Sequence, residues 1–379
     1  TMALQILSDY ATQQGLVCHF DAGANLIISM PLEPSGKTIL IGSHLDSVPQ
    51  GGNFDGLAGV VAGILILLHM KELPTSKQKP VRVLALRGEE SAWFGKAYMG
   101  SLSLIGKLTS EDLKLKARDS EQSLCEAMTE LKIPVQKIER GEPLIDLSTI
   151  AAYLELHIEQ GPLMVAREWQ ISPVSGIRGN IRHNRILCKG ETGHSGAVPR
   201  WMRKDAVLAS AELLSHLDEH WRVLQQMGMD LVMTCGMFYT NPASHALSVI
   251  PGEVSFSFEV RSQNEATLEQ FYQLMRNECQ DIARSRGVEF IFDRKLFTAP
   301  ALMDEVWVKK ISAACQNLGV SSEVIASGAG HDAAVFANAG IPSGMIFIRN
   351  EHGSHNPHEA MNLDDFFLGV QALSIAIDH

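Results

Sequence analysis

Two carboxylates stand side by side at Glu89 and Glu90, and histidines beside glycine and acid recur at His44, His157 and His355. Imidazole and carboxylate are the usual ligands of divalent transition metals, and a carboxylate left over from the metals can act as a general base. In Gly42-Ser-His-Leu-Asp-Ser-Val-Pro-Gln-Gly-Gly-Asn-Phe-Asp-Gly56, His44 and Asp46 lie two apart on an extended segment and Asp55 follows further on. The glycines let the backbone fold tightly around an ion. Taken alone, this stretch fits equally well a hydrogen-bonded loop histidine and an Asp55 that caps a helix. Arg87-Gly-Glu-Glu-Ser91, again alone, is better explained as an exposed helix start. Glu155-Leu-His-Ile-Glu-Gln-Gly161 and Gly353-Ser-His-Asn-Pro-His-Glu359 shift the balance, because all four stretches follow apolar strand-like runs. Together they supply three histidines and two carboxylates with a third to spare, enough for two adjacent ions bridged by one aspartate.

The elements that must position these residues alternate in the first third: an apolar run at 38–42, a helical pattern at 57–71 and another apolar run at 81–86. That order predicts an α/β sheet with parallel pairing, whose ligands sit beyond the carboxyl ends of the strands. From about residue 184 the pattern becomes strand 185–188, helix 205–217, strand 231–235, strand 253–260, helix 265–286 and strand 288–292. This is the β-α-β-β-α-β order of a ferredoxin-like unit. A helix at 305–318 and an apolar strand at 344–348 resume the first pattern. The expected division is a mixed, mostly parallel α/β domain over 1–179 and 295–379, split by an insertion over 180–294. Residues 111–143 read as charged, helical and peripheral.

The chain has 379 residues with 32 basic against 43 acidic side chains, a formal charge of −11. At roughly 150 residues per domain that length predicts two domains. The acidic balance argues against a nucleic-acid groove, which relies on clustered Lys and Arg. Six cysteines (Cys18, Cys125, Cys188, Cys235, Cys279 and Cys315) are spread singly, which predicts free thiols in a reducing cytoplasm. The first residues lack the pattern of a signal peptide. The apolar run at 56–70 contains His69 and is shorter than the roughly 20 residues of a membrane span, so a buried helix is expected.

Gly-Ser-His-x-Asp-Ser, Phe-Asp-Gly, Glu-Glu, Glu-Leu-His-Ile-Glu-Gln-Gly, Gly-His-Ser-Gly, Ser-Gly-Ala-Gly-His-Asp-Ala and Gly-Ser-His-Asn-Pro occur in this order over essentially the whole chain. In this the sequence resembles the M20 family of dinuclear metallohydrolases. The Glu-Leu-His-Ile-Glu-Gln-Gly stretch is similar to its amidase branch: N-carbamoyl-L-amino acid hydrolases, β-ureidopropionases and allantoate amidohydrolases. Carried over residue by residue, the resemblance implies that His44 and His157 bind one metal and Glu90 and His355 the other, with Asp55 bridging both. It implies Glu89 as general base, and Asp46 as the partner that fixes the tautomer of His44. Gln160 and Gly330 would line the substrate site. His194 would polarise the scissile carbonyl, often from a neighbouring subunit, and Arg261 would pair with a substrate carboxylate. Asn180 is a further substrate-side candidate. Two divalent ions per subunit (zinc, manganese, cobalt or nickel), a small ureido or amide substrate and a homodimer formed through the inserted domain are implied. Family members also tend to carry an N-terminal helix ahead of the point where this chain begins.

The sequence departs from the amidases at Ser248, where an Asn is usual, and at Ala197-Val-Pro199, where Thr-Thr-Pro is usual. Both changes touch the substrate side. His331 reads as a structural residue of its turn, and His183, His245, His352 and His358 as ordinary polar residues. The implied reaction is cleavage of the ureido C–N bond of an N-carbamoyl-L-amino acid to amino acid, carbon dioxide and ammonia. Allantoate, β-ureidopropionate, and an N-acyl amino acid or peptide are the alternative substrates. A catalytically dead binding protein on the same fold is disfavoured by the complete ligand set, and a nicotinamide oxidoreductase by the lack of Gly-x-Gly-x-x-Gly after a strand.

Overall fold

The structure is a computed structural model, and it describes residues 2–244 and 246–378. Two units emerge: residues 1–177 with 301–379, and Arg178–Pro300. The first unit opens with helix α1 (Met2–Gln13) and a hairpin of β1 (Val17–Phe20) and β2 (Leu26–Ser29). It continues through β3 (Thr38–His44), α2 (Leu57–Glu72), β4 (Val81–Leu86), β5 (Ile150–Ile158) and β6 (Ile171–Ile177). The second unit contributes β7 (Gly179–Lys189), α3 (Ala206–Gln226), β8 (Val232–Thr234), β9 (Glu253–Ser262), α4 (Glu265–Arg286) and β10 (Glu289–Phe292). The chain then returns to the first with α5 (Glu305–Asn317), α6 (Asp332–Asn338), β11 (Ser343–Ile348) and α7 (Leu363–Asp378).

Among the described residues the sheet of the first unit runs β1-β2-β4-β3-β5-β11-β6, followed by the short strand Ala301–Leu302. β4, β3, β5 and β11 are parallel neighbours, and antiparallel pairings flank them. Both faces are covered, as parallel strands require. On one face Val60, Ile64 and Leu67 of α2, Ile311 of α5 and Leu373 of α7 pack with Ile41, Val83, Leu154 and Ile346. On the other, Phe336 of α6 packs with Leu84, Tyr153, Val174 and Phe347. The run at 56–70 is a buried helix, apolar on nearly every side. No described helix is long and apolar enough to cross a membrane, and all six cysteines are free. Residues 111–143 hold the short helices Leu124–Glu130 and Val135–Glu139, which build a small core of their own from Leu113, Leu124, Met128 and Ile138.

In the second unit β8-β9-β7-β10 is antiparallel throughout. With α3 and α4 it follows the β-α-β-β-α-β order. Asp205 and Asn264 cap the two helices by accepting backbone N–H bonds from the first turn. Their apolar stripes (Leu213 and Leu217; Phe271 and Met275) meet Cys188, Phe256 and Phe258 of the sheet. Two details differ from the sequence expectation. α3 continues past 217 to Gln226, because Trp221 and Leu224 still pack on this core. The second unit also extends beyond 294, because Leu296–Thr298 pairs with β7.

Candidate metal centre

Because β4, β3, β5 and β11 are parallel neighbours, their carboxyl ends share one edge of the sheet. His44 ends β3, His157 is the penultimate residue of β5, Glu89 and Glu90 follow β4, and His355 lies in the turn after β11. Asp55 stands just before α2. It does not cap that helix: Gly56 occupies the cap position with no side-chain bond, which leaves the Asp55 carboxylate to the histidines. The Glu89–Glu90 pair does not start a helix either, and both side chains are buried.

Asp55 is the centre of the cluster. Its Oδ1 is 3.0 Å from His157 Nε2 and 3.8 Å from His44 Nε2, while its Oδ2 is 3.4 Å from His355 Nε2. His355 Nε2 is also 3.1 Å from Glu90 Oε1. Two trios, His44-Asp55-His157 and Asp55-Glu90-His355, each bring one ligand atom per residue within 4.8 Å of one another and share Asp55.

The tautomers test whether ions fit. His44 Nδ1 is 2.8 Å from the Asp46 carbonyl and His157 Nδ1 is 2.9 Å from the Ile158 carbonyl. A carbonyl only accepts, so both Nδ1 atoms carry hydrogen, and each ring, when neutral, turns an Nε2 lone pair toward the Asp55 carboxylate. His157 Nε2 is buried and has no hydrogen-bond partner despite its closeness to Asp55. Lone pair facing carboxylate is repulsive unless a cation lies between them, and two imidazoles with a carboxylate suit a divalent transition metal. Without one, protons serve: burial opposes a charge on His157, but Asp55 holds its pKa up at about 9. Hydrogen bonding to Asp55 and Glu90 raises His355 to about 10. Burial pushes the Asp55 carboxyl up, yet His157, His355 and His44 hold it far below the usual carboxylate range.

Glu89 approaches His44, with Oε2 3.9 Å from Nε2. Burial, followed by the charges of Asp332, Glu90, Asp46 and Glu155, pushes its carboxyl well above its ordinary value. Asp46 meets His44 through its backbone. Its carbonyl, not its carboxylate, takes the His44 Nδ1–H, and its carboxylate accepts the backbone N–H groups of Glu89 and Glu90 at 3.2 and 3.0 Å. One residue thus sets the His44 ring and the turn that carries both glutamates.

Gln160 has a left-handed backbone (φ 64°) and donates from Nε2 to Asp55 Oδ1 at 3.1 Å. At Gly330 a Cβ would lie 1.6 Å from the Tyr98 hydroxyl, so only glycine fits beside that ring. His331 is fully buried, its Nε2 2.9 Å from Ser327 Oγ and its ring edge-on to His157 at 4.4 Å. Burial holds its pKa well below the ordinary value, so it stands as a neutral support. In the second unit Asn180 faces Arg261 across β7 and β9, with its Oδ1 buried and unpartnered. Arg261 makes a two-point ion pair with Glu259 at 3.0 and 3.1 Å. His194 is exposed and its Nδ1 accepts the Gly196 N–H. The backbone of Ser248 receives the Ser195 N–H. His183 is not an ordinary polar residue: it is buried between Asp293 (2.8 Å) and the Tyr272 hydroxyl (3.1 Å). His245 lies outside the described residues.

Sequence reasoning missed several polar residues around the centre. Glu155, fully buried, accepts from Ser43 Oγ (2.6 Å) and the Ala333 N–H (2.8 Å). Its position two before His157 on the same strand face was the available signal. Asp332 and Glu359 are likewise buried.

Comparison with known proteins is consistent with this geometry. Residues 40–379 match the model of peptidase family M20/M25/M40. The chain is 33% identical to an N-carbamoyl-L-amino acid amidohydrolase of Geobacillus stearothermophilus, over 98% of this chain and 88% of that protein. It is 30% identical to an allantoate amidohydrolase of Escherichia coli, over 96% and 86%. The crystal structure of an amidase of the hydantoinase/carbamoylase family from Burkholderia multivorans superposes with a TM-score of 0.85 at 26% identity, covering 98% of this chain and 88% of that one.

Proposed function

The chain belongs to peptidase family M20/M25/M40, and from that membership we propose that it is a divalent-metal amidohydrolase cleaving the ureido C–N bond of an N-carbamoyl-L-amino acid. The observation that carries this reading is the Asp55 carboxylate faced by imidazole Nε2 atoms on both of its oxygens, with the buried Glu89 beside His44. His44, Asp55 and His157 would hold one ion, and Asp55, Glu90 and His355 the second; zinc, manganese, cobalt and nickel all suit the donor set. Such ions, when bound, polarise a carbonyl and acidify water toward neutrality.

The chain's own residues supply the rest. Glu89, buried and facing His44, takes a proton from the attacking water and delivers it to the leaving nitrogen. Asp46 keeps the Glu89 backbone in place, and Gln160 orients Asp55. Gly330 lines the substrate site. On the second unit, Arg261 binds the substrate carboxylate through its planar fork after exchanging Glu259 for it, His194 polarises the scissile carbonyl, and Asn180 supports the same face. The protein works as a homodimer through this inserted unit, on a small ureido substrate and in the cytoplasm. The products are the amino acid, carbon dioxide and ammonia.

Allantoate is the second reading, favoured by the Escherichia coli relative. Ammonia release from metal-reconstituted protein across N-carbamoyl-L-amino acids, β-ureidopropionate and allantoate tests both. The highest kcat/KM is expected on an N-carbamoyl-L-amino acid. Preference for allantoate would transfer the assignment, and cleavage of peptides without ammonia would refute both.

A further inference from the structure

The last acidic residue of the Gly353-Ser-His-Asn-Pro-His-Glu359 stretch has no ligand role, yet its side chain is only 6% exposed along with the rest of the residue. Glu359 Oε1 accepts two successive backbone N–H groups, from Phe54 at 2.8 Å and Asp55 at 3.2 Å. Its Oε2 accepts from Ser354 Oγ, and that hydroxyl also lies 3.3 Å from Asp55 Oδ2. A serine has one proton for these two carboxylates, so Ser354 couples them directly. The contact ties together segments some 300 residues apart, on either side of the inserted unit. Gly52 makes room for it, since a Cβ there would lie 2.1 Å from Glu359 Oε1.

The neighbouring turn also needs holding. His355 has a left-handed backbone (φ 61°), a conformation that costs a non-glycine residue about 1 kcal/mol or more unless its surroundings impose it. Ser354, which precedes it, is fixed by Glu359, and Asn356, which follows it, donates to the His352 and Ser354 carbonyls. We propose that Glu359 is a positioning residue for the metal centre, holding through its two oxygens both the bridging Asp55 and the turn that presents His355. This rests on the reading of the cluster as a metal site. The consequence is selective: the ion between Asp55, Glu90 and His355 depends on Glu359 at both Asp55 and His355, and the ion beside His44 and His157 only at Asp55.

The test compares wild-type protein with Glu359→Gln and Ser354→Ala after chelation, measuring manganese or zinc affinity by competition with a chromophoric chelator. Circular dichroism and thermal midpoints are taken on the same samples. Both variants are expected to fold and to bind one ion about 10- to 100-fold more weakly, the usual cost of losing a group that holds a ligand. Activity lost at low metal should return as metal is added. Wild-type affinity for both ions in folded variants would overturn the proposal, and so would a loss of activity that added metal does not restore. If Glu359→Gln fails to fold, Ser354→Ala, which removes a single hydroxyl, decides alone. A wild-type protein that takes up no ion would refute the metal reading itself, an outcome distinct from either of these.

Discussion

Metal binding at this centre should release protons in a number set by the histidines. Without metal, His157 titrates at about 9 and His355 at about 10, each held protonated by Asp55. At pH 7 both rings are therefore almost fully charged, and an ion that takes their Nε2 lone pairs must displace ~2 protons. At pH 9 the same two values leave ~1.4 protons to displace, and by pH 10 only ~0.6. The apparent affinity near neutrality should accordingly rise by ~100-fold per pH unit, and the slope should flatten above pH 9. Isothermal titration calorimetry with manganese in two buffers of different ionisation enthalpy, repeated from pH 7 to 10, reads the proton number directly. A release close to zero at pH 7 would refute the reasoning, because it would mean that neutral rings face Asp55 in the metal-free protein.

The same shifts fix a stability trend with a definite sign. His157 and His355 are raised above their ordinary 6.5, so in chelated protein their contribution is complete below pH 6.5 and is lost as pH climbs through about 9 and about 10. The thermal midpoint of chelated protein should fall over that window while the metal-loaded midpoint holds or rises, so the gap between the two scans should widen; a constant gap would count against it. Glu89→Gln removes the proton acceptor but keeps the shape, and should lower kcat by about 10²- to 10⁴-fold with unchanged metal content and KM within a few-fold. Steady-state kinetics showing near-wild-type kcat would place the base elsewhere. Gly330→Ala sets a methyl against the Tyr98 hydroxyl and should cost about 1–3 kcal/mol in urea unfolding, partly recovered in the double variant with Tyr98→Phe. No recovery would mean that the clash is not with Tyr98.

What was legible in the sequence was what depends on order along the chain. Alternating apolar runs announced the sheet, because parallel strands buried on both faces show continuous hydrophobic stretches, and residues beyond their carboxyl ends must gather at one edge. His44, Asp55, Glu90, His157 and His355 stand together there for that reason. The first 30 residues were not legible as structure: α1 buries only Leu4 and Ala11, and the first two strands are four residues each, too short for a period to show. Contacts between distant segments were also hidden. Nothing in the local pattern says that Glu359 reaches the backbone of Asp55, or that Asp46 serves His44 through its carbonyl and the glutamates through its carboxylate. His183 looked ordinary because its partners, Asp293 just after β10 and Tyr272 in α4, lie about 90 to 110 residues away.

The central claim, two ions sharing Asp55, is tested most directly by anomalous diffraction from crystals of the protein reconstituted with manganese or zinc. Two peaks are predicted, one bounded by His44, Asp55 and His157 and the other by Asp55, Glu90 and His355. No peak after reconstitution, or a lone peak among Glu155, His157 and His331, would contradict the account.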